Sequence, residues 1–390
     1  MSPPRTRWGV VLALWFAGLC AAGQFSKVGV IFAELAPLWP EAGARLGLVV
    51  SVVGGVGIVF GTTAGLMVTR LGARRMIIGA ALTGAALSAL EAVILPLGWM
   101  IAARILEGFA HLAIVVTGPV LIARVTAPQD QAAAMTLWST FFSLAFTLTA
   151  AFGLPLAQSH GAGALFVLHG ALMACAAALL AWVLPADTPR STARLSARSV
   201  LADHARIYTS PDIAAPAMGF VFYTLLFVAL LTLVPAEVAP EHRALVAGAM
   251  PLASIVTSLG LGVALTRRLG AVRVVQLGFA LAMVAALGWA VTLGQGVAGM
   301  TAALALSAAL GLVQGASFAA IPALNATAED RAAAAGAIAQ LGNVGTTLGT
   351  PLLLALVARF GPAAISGFAL PVCAAGILVH SVLTRRRAQN

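Results

Sequence analysis

Long apolar stretches broken by short polar connectors recur from one end of this sequence to the other. Twelve can be marked, over 8–33, 45–68, 75–96, 99–123, 135–157, 164–184, 214–235, 244–266, 273–293, 299–323, 332–358 and 363–383. Each is about 20 residues or longer, the length a helix rising 1.5 Å per residue needs to cross ~30 Å of hydrocarbon. Nothing alternates with a period of two, and a bilayer admits only helices or closed barrels, so each stretch reads as a helix. The pattern predicts an all-α membrane protein with twelve transmembrane helices.

The connectors carry the basic residues, and unevenly. With the N-terminus in the cytoplasm, seventeen arginines fall in cytoplasmic segments, among them Arg5, Arg7, Arg70, Arg74, Arg75, Arg267 and Arg268. The outer segments hold only Arg45, Arg243 and Arg359, while Lys27 and Arg104 lie within spans. One missed span would destroy this asymmetry, so it supports the count and places both termini in the cytoplasm, as in a multi-pass protein of the inner (plasma) membrane.

Composition fits that picture. The chain is 61% hydrophobic and 9% charged, where a soluble domain carries about 25% charged residues. A net charge of +10 would suit nucleic acid, but the arginines sit in connectors and form no basic face, so the expected partner is the lipid bilayer and not nucleic acid. Arg5 and Arg7 before an apolar run mimic a signal peptide; the run reads as the first span because equally apolar ones follow. Cys20, Cys175 and Cys373 fall inside spans without metal-ligand or disulfide spacing and read as buried small hydrophobes. No phosphate-binding Gly-x-x-x-x-Gly-Lys loop and no Ser/His/Asp constellation occurs, which argues against an ATP-driven pump and against an enzyme, with no metal or cofactor expected.

The two halves repeat. Gly65-Leu-Met-Val-Thr-Arg-Leu-Gly-Ala-Arg74 returns as Gly262-Val-Ala-Leu-Thr-Arg-Arg-Leu-Gly-Ala-Val-Arg273, 197 residues on. Ala33-Glu34-Leu-Ala-Pro37 matches Ala236-Glu237-Val-Ala-Pro240 at an offset of 203, and Gly153-Leu-Pro-Leu156 matches Gly349-Thr-Pro-Leu352 at 196. Near-constant offsets imply two six-helix bundles in parallel repeat, 1–184 and 214–390, with a cytoplasmic linker at 185–213 and a substrate site near mid-membrane between them. Arg190, Arg194 and Arg198 would share one helical face of the linker, which reads either as solvated chain or as a short helix on the anionic inner leaflet.

These residues resemble the major facilitator superfamily. Its loop between spans two and three reads Gly-x-Leu-Ala-Asp-Arg-x-Gly-Arg-Arg/Lys; Gly65, Arg70, Gly72 and Arg74 match, Thr69 replaces the aspartate and Ala73 an arginine. The resemblance implies a latch closing the cytoplasmic side, built from those residues and from Gly262 and Arg267 of the repeat, weakened here by the lost acid. Arg104-Ile-Leu-Glu-Gly108 is similar to the family's Arg-x-x-Gln-Gly, with Glu107 for glutamine. In proton-coupled members that arginine biases protonation of a nearby carboxylate. The glycine-proline signature of drug/proton antiporters is reduced to Gly153-Leu-Pro155, which tilts the expectation toward uptake.

Ionisable residues inside spans are costly and mark functional sites by default. Helical rise puts Lys27 roughly 28 Å and Glu91 roughly 24 Å above the inner edge, and Arg104 and Glu107 roughly 8 and 12 Å below the outer edge, so all four can meet in the outer half. Arg104, Glu107 and His111 share a face of the fourth span, as Gln24, Lys27 and Glu34 do on the first, predicting a polar stripe toward the central cavity. Desolvation favours a protonated carboxyl and a nearby cation an ionised one, so opening and closing would load and unload a proton at Glu107 or Glu91. The plainer readings are a self-neutralising Arg104–Glu107 pair, a Lys27 that snorkels to the interface, and His111, His169 and His380 as hydrogen-bonded packing residues. The second half offers neutral groups instead: Tyr223, Gln314, Asn325, Gln340 and Asn343. Gly342, Gly345 and Gly349 predict a small-residue seam for helices that move during rocking.

The expectation is a monomeric secondary transporter that moves a small organic solute by alternating access, coupled to protons, with uptake favoured. The alternatives are proton-driven efflux of a metabolite or drug, and a non-transporting sensor or assembly protein.

Overall fold

The computed structural model describes residues 5–42, 45–187 and 197–389. Among them, twelve helices are long and apolar enough to cross a membrane: α1 (Trp8–Gly29), α2 (Leu46–Leu71), α3 (Ala73–Glu91), α4 (Leu97–Val125), α5 (Pro128–His160), α6 (Ala162–Val183), α7 (Pro211–Glu237), α8 (Leu245–Leu269), α9 (Ala271–Thr292), α10 (Gly296–Leu324), α11 (Ala328–Phe360) and α12 (Ala363–Gln389). Large apolar side chains such as Trp182, Val291 and Val93 are largely exposed, as surfaces that meet lipid must be. Cys175 is also exposed, contrary to the expectation that all three thiols are buried.

The repeated Leu-Gly-Ala motif has a simple cause. One residue joins α2 to α3 and α8 to α9, and reversing the chain in so little space needs a positive φ, which Gly72 and Gly270 supply at 87° and 83°. Gly161 and Gly361 repeat the device between α5 and α6 and between α11 and α12. Two spans carry a π-type turn, at Thr149–Gly153 in α5 and Ser258–Gly262 in α8.

One end gathers the basic connectors. There Arg7 donates to the carbonyl of Val183 (3.2 Å), Arg74 to that of Leu184 (3.0 Å) and Arg387 to that of Pro211 (2.8 Å). The Asp187 carboxylate accepts the backbone N–H groups of Arg74 (2.9 Å) and Arg75 (3.1 Å), so it caps the positive end of α3. The linker forms a helix over Ala197–Thr209. Arg190 and Arg194 lie outside the described residues, as does the side chain of Arg198.

One apolar cluster lies wholly within α7–α12 and a smaller one in the first half at the opposite end. The largest joins both halves at the arginine-rich end, where Phe318, Ala332 and Ile338 of the second half pack with Val68, Leu121 and Trp138 of the first.

Candidate functional site

α1, α3 and α4 bring Lys27, Glu91, Arg104 and Glu107 into one buried cluster, each at most 1% exposed. The Lys27 ammonium has three N–H groups and uses all three, donating to Ser88 Oγ (2.6 Å), Glu91 Oε2 (2.6 Å) and Glu107 Oε1 (2.7 Å). The Phe166 ring lies 5.1 Å from the same ammonium. Arg104 donates to the carbonyls of Val49 (2.9 Å) and Gln24 (2.6 Å) and pairs with Glu107 Oε2. Two cations thus meet two anions, which is the condition for holding charge away from water.

The carboxylates differ in one respect. Both oxygens of Glu107 are engaged, whereas Glu91 Oε1 is buried without a partner. His169 of α6 extends the network. Its Nε2 lies 2.8 Å from the Cys20 carbonyl and so donates, leaving Nδ1 to accept the Ser88 hydroxyl at 2.8 Å.

This cluster is enclosed within the first bundle and does not face the central cavity, which corrects the expected stripe. Gln24 also points elsewhere: a Cβ on Gly84 of α3 would lie 2.7 Å from its amide nitrogen, and both its amide atoms are buried without partners. Helical periodicity put these side chains on one face but could not say which neighbours that face meets. His111 does reach the central cavity, and its Nδ1 donates to the Ala21 carbonyl at 2.9 Å. His380 departs from its expectation: it is buried against Gly219, and neither ring nitrogen has a protein partner.

The central cavity lies between the halves, with a volume of about 90 Å³. His111 and Phe25 line it from the first half, and Tyr223, Gln314 and Asn343 from the second. Gln314 donates to the Ser139 carbonyl of α5, and Asn343 to the Ala339 carbonyl at 2.7 Å.

Below the cavity the halves close on one another. The α2 ridge of Gly54, Gly57, Gly61 and Gly65 packs on Ala332, Gly336, Gln340 and Asn343 of α11. A Cβ on Gly61 would lie 2.6 Å from that of Gln340, one on Gly336 would lie 2.6 Å from the Gly61 carbonyl oxygen, and one on Gly65 would strike the Ala332 carbonyl. Gln340 also donates to the Ile58 carbonyl at 2.7 Å. Gly65 therefore sits at the contact between halves. Gly262 does not: its neighbours are Thr257 and Leu312 of its own half. Gly342, Gly345 and Gly349 likewise pack on Phe220, Thr224 and Leu225 of α7, inside the second bundle. Sequence reasoning missed the α2 ridge, although glycines at i, i+3, i+7 and i+11 were a readable sign of close helix approach.

The expected latch arginines divide. Arg267 reaches across to Asp130 of α5 at 3.6 Å. Arg74 binds carbonyls within the first half, and Arg70 Nη1 is buried without a partner. The linker helix touches both sides of the closure: His204 hydrogen-bonds Thr62 of α2, Tyr208 donates to Gln340 of α11, and Arg206 pairs with Asp330 at 2.8 Å.

Comparison with known proteins places this geometry among transporters. The family model of the Major Facilitator Superfamily matches residues 14–349. No curated protein sequence matches significantly. Among solved structures, the transporter FucP in its outward conformation is 14% identical with a TM-score of 0.76, covering 96% of this chain and 98% of that one. The human organic anion transporter MFSD10 is 16% identical at 0.76, covering 96% and 99%. The proton:xylose symporter XylE is 13% identical at 0.75, covering 97% and 95%. At these identities the likeness is one of fold.

Proposed function

Since this chain belongs to the Major Facilitator Superfamily and is a multi-pass secondary transporter and not an enzyme, we propose that it carries a small organic solute by alternating access and couples that movement to protons bound at Glu91. The observation that carries the coupling is the unpartnered Glu91 Oε1 in an otherwise fully bonded, charge-balanced quartet. A proton on that oxygen neutralises Glu91 and leaves the quartet one charge positive. The grip of Lys27 then falls on Glu107 and Ser88.

α1 is the element that links this event to the cavity. It carries Lys27 in the quartet and Phe25 in the cavity wall. Its Gln24 and Ala21 carbonyls are held by Arg104 and His111 of α4. A rearranged quartet therefore moves a cavity wall. His111 stands one helical turn from Glu107 and lines the cavity, so protons would enter from there. Access alternates when the α2–α11 glycine seam opens as the two bundles rock. The driving force is about 2.3 kcal/mol per charge per 100 mV of membrane potential.

The reading puts the protein in the inner (plasma) membrane as a monomer with its arginine-rich end in the cytoplasm, and favours uptake because the antiporter signature is reduced to Gly153-Leu-Pro155. The test is metabolite profiling of cells and medium from a deletion strain and an overproducing strain at two external pH values. A compound enriched inside the overproducer, more so at acid pH, supports proton-coupled uptake. Enrichment in its medium reverses the direction. No reproducible difference defeats the transport reading in favour of a sensor.

A further inference from the structure

The central cavity is built for a particular chemistry. Seven of its nineteen lining residues are aromatic, against 7% of the chain. The rings come from both halves and pack in sequence. Tyr223 stacks on Phe227 with centroids 5.0 Å apart, Phe220 lies 5.2 Å from Tyr223 and from Phe318, and Phe25 meets His111 edge-on at 4.8 Å.

No carboxylate, lysine or arginine lines the cavity among the described residues. The nearest buried charges are the four of the quartet, which balance one another. A solute bearing a full charge would find no counter-ion there and would lose its hydration without replacement. A polyol would fare badly too, because it has no flat ring to lie against these aromatic walls, and part of the polar wall is already used. Gln314 is bonded to Ser139 and Ser254, the Asn343 amide N–H to Ala339, and the Thr224 hydroxyl to its own helix. Five groups keep free capacity. The hydroxyls of Tyr223, Ser143 and Thr346 and the side-chain oxygen of Asn343 have no partner, and His111 has spent Nδ1 on the Ala21 carbonyl, so its Nε2 remains as an acceptor.

From this, and resting on the reading of the central cavity as the transport site, we propose that the substrate is an uncharged molecule with one small ring and at least one hydrogen-bonding group, held by ring stacking and by Tyr223 and His111. The cavity as it stands, about 90 Å³, is smaller than the roughly 150 Å³ that admits benzene, so its walls must part to take one ring.

The experiment uses the full chain in lipid nanodiscs, with empty nanodiscs as the partitioning control, and ligand-observed saturation-transfer NMR. The probes are benzyl alcohol, benzoate, benzylammonium and xylitol. The expected result is saturation of benzyl alcohol above the empty-disc signal, at least tenfold weaker binding of the two ions, and none of xylitol. Tyr223→Phe, which keeps the ring and the packing, should weaken benzyl alcohol about fivefold, the worth of one hydrogen bond. Preference for either ion or for xylitol overturns the proposed class but leaves the transport reading standing. Benzyl alcohol no better than in empty discs, or unaffected by Tyr223→Phe, also overturns it. Failure of the transport reading shows separately, as metabolite profiles that do not differ between strains.

Discussion

Replacing Lys27 with methionine keeps much of the side chain's length and removes the ammonium that touches both Glu91 and Glu107. Glu107 keeps Arg104, but Glu91 loses its only charged partner and its carboxylate is stranded in a site that is 0% exposed. Removing one member of a buried ion pair costs about 3–5 kcal/mol, because the remaining charge is uncompensated. Lys27→Met should therefore destabilise the fold by about that much, read from unfolding of the purified protein in mixed micelles. Combining it with Glu91→Gln restores balance, since only the Arg104–Glu107 pair then remains. The double variant should recover to within roughly 1 kcal/mol of the parent, giving a coupling energy of at least about 2 kcal/mol. A Lys27→Met protein as stable as the parent would refute the buried quartet. A double variant worse than the single would show that packing and not charge sets the loss.

Other consequences follow from the same contacts. Either substitution leaves two cations with one acid, but Glu107→Gln takes a carboxylate oxygen from both Lys27 and Arg104, while Glu91→Gln weakens only the Lys27 contact and can replace the oxygen that has no partner, so Glu107→Gln should be the more destabilising in the same assay; the reverse order would contradict the assignment of Glu91. Gly65→Val puts side-chain atoms against the Ala332 carbonyl only while the seam is closed. Overpacking of about 1–3 kcal/mol shifts the conformational ratio by roughly 5- to 150-fold, seen as a longer distance between spin labels on α2 and α11 at the arginine-rich end; an unchanged distance would mean the seam is not the gate. Arg206 is partly exposed, so Arg206→Ala should move the same distance distribution much less, by an energy under about 1 kcal/mol.

Much of the architecture was legible because a bilayer imposes span length and polar satisfaction on the sequence. Alternating apolar runs marked all twelve spans, and the glycine turns at Gly72 and Gly270 made the repeat visible. Depth estimates brought Lys27, Glu91, Arg104 and Glu107 to one level, since rise per residue is fixed. What remained hidden depends on how helices face one another. The quartet turned inward and not toward the cavity, Gln24 packed toward α3, Ser88 joined without any sequence signal, and His169, expected only as a hydrogen-bonded packing residue, joined through it. The repeat also misled: Gly65 and Gly262 occupy matching positions, yet only Gly65 meets the other half. Equivalent sequence does not make equivalent contact when the bundles pack asymmetrically.

The central claim is that Glu91 carries the coupled proton. The direct measurement is Glu91→Gln in proteoliposomes, with the solute identified by metabolite profiling. Two fluxes are compared: accumulation driven by a pH gradient, and exchange of labelled solute with no gradient. The account predicts loss of gradient-driven accumulation with exchange retained, because the cavity and the seam are intact. Gradient-driven accumulation at the parent's level would contradict it and put the proton elsewhere.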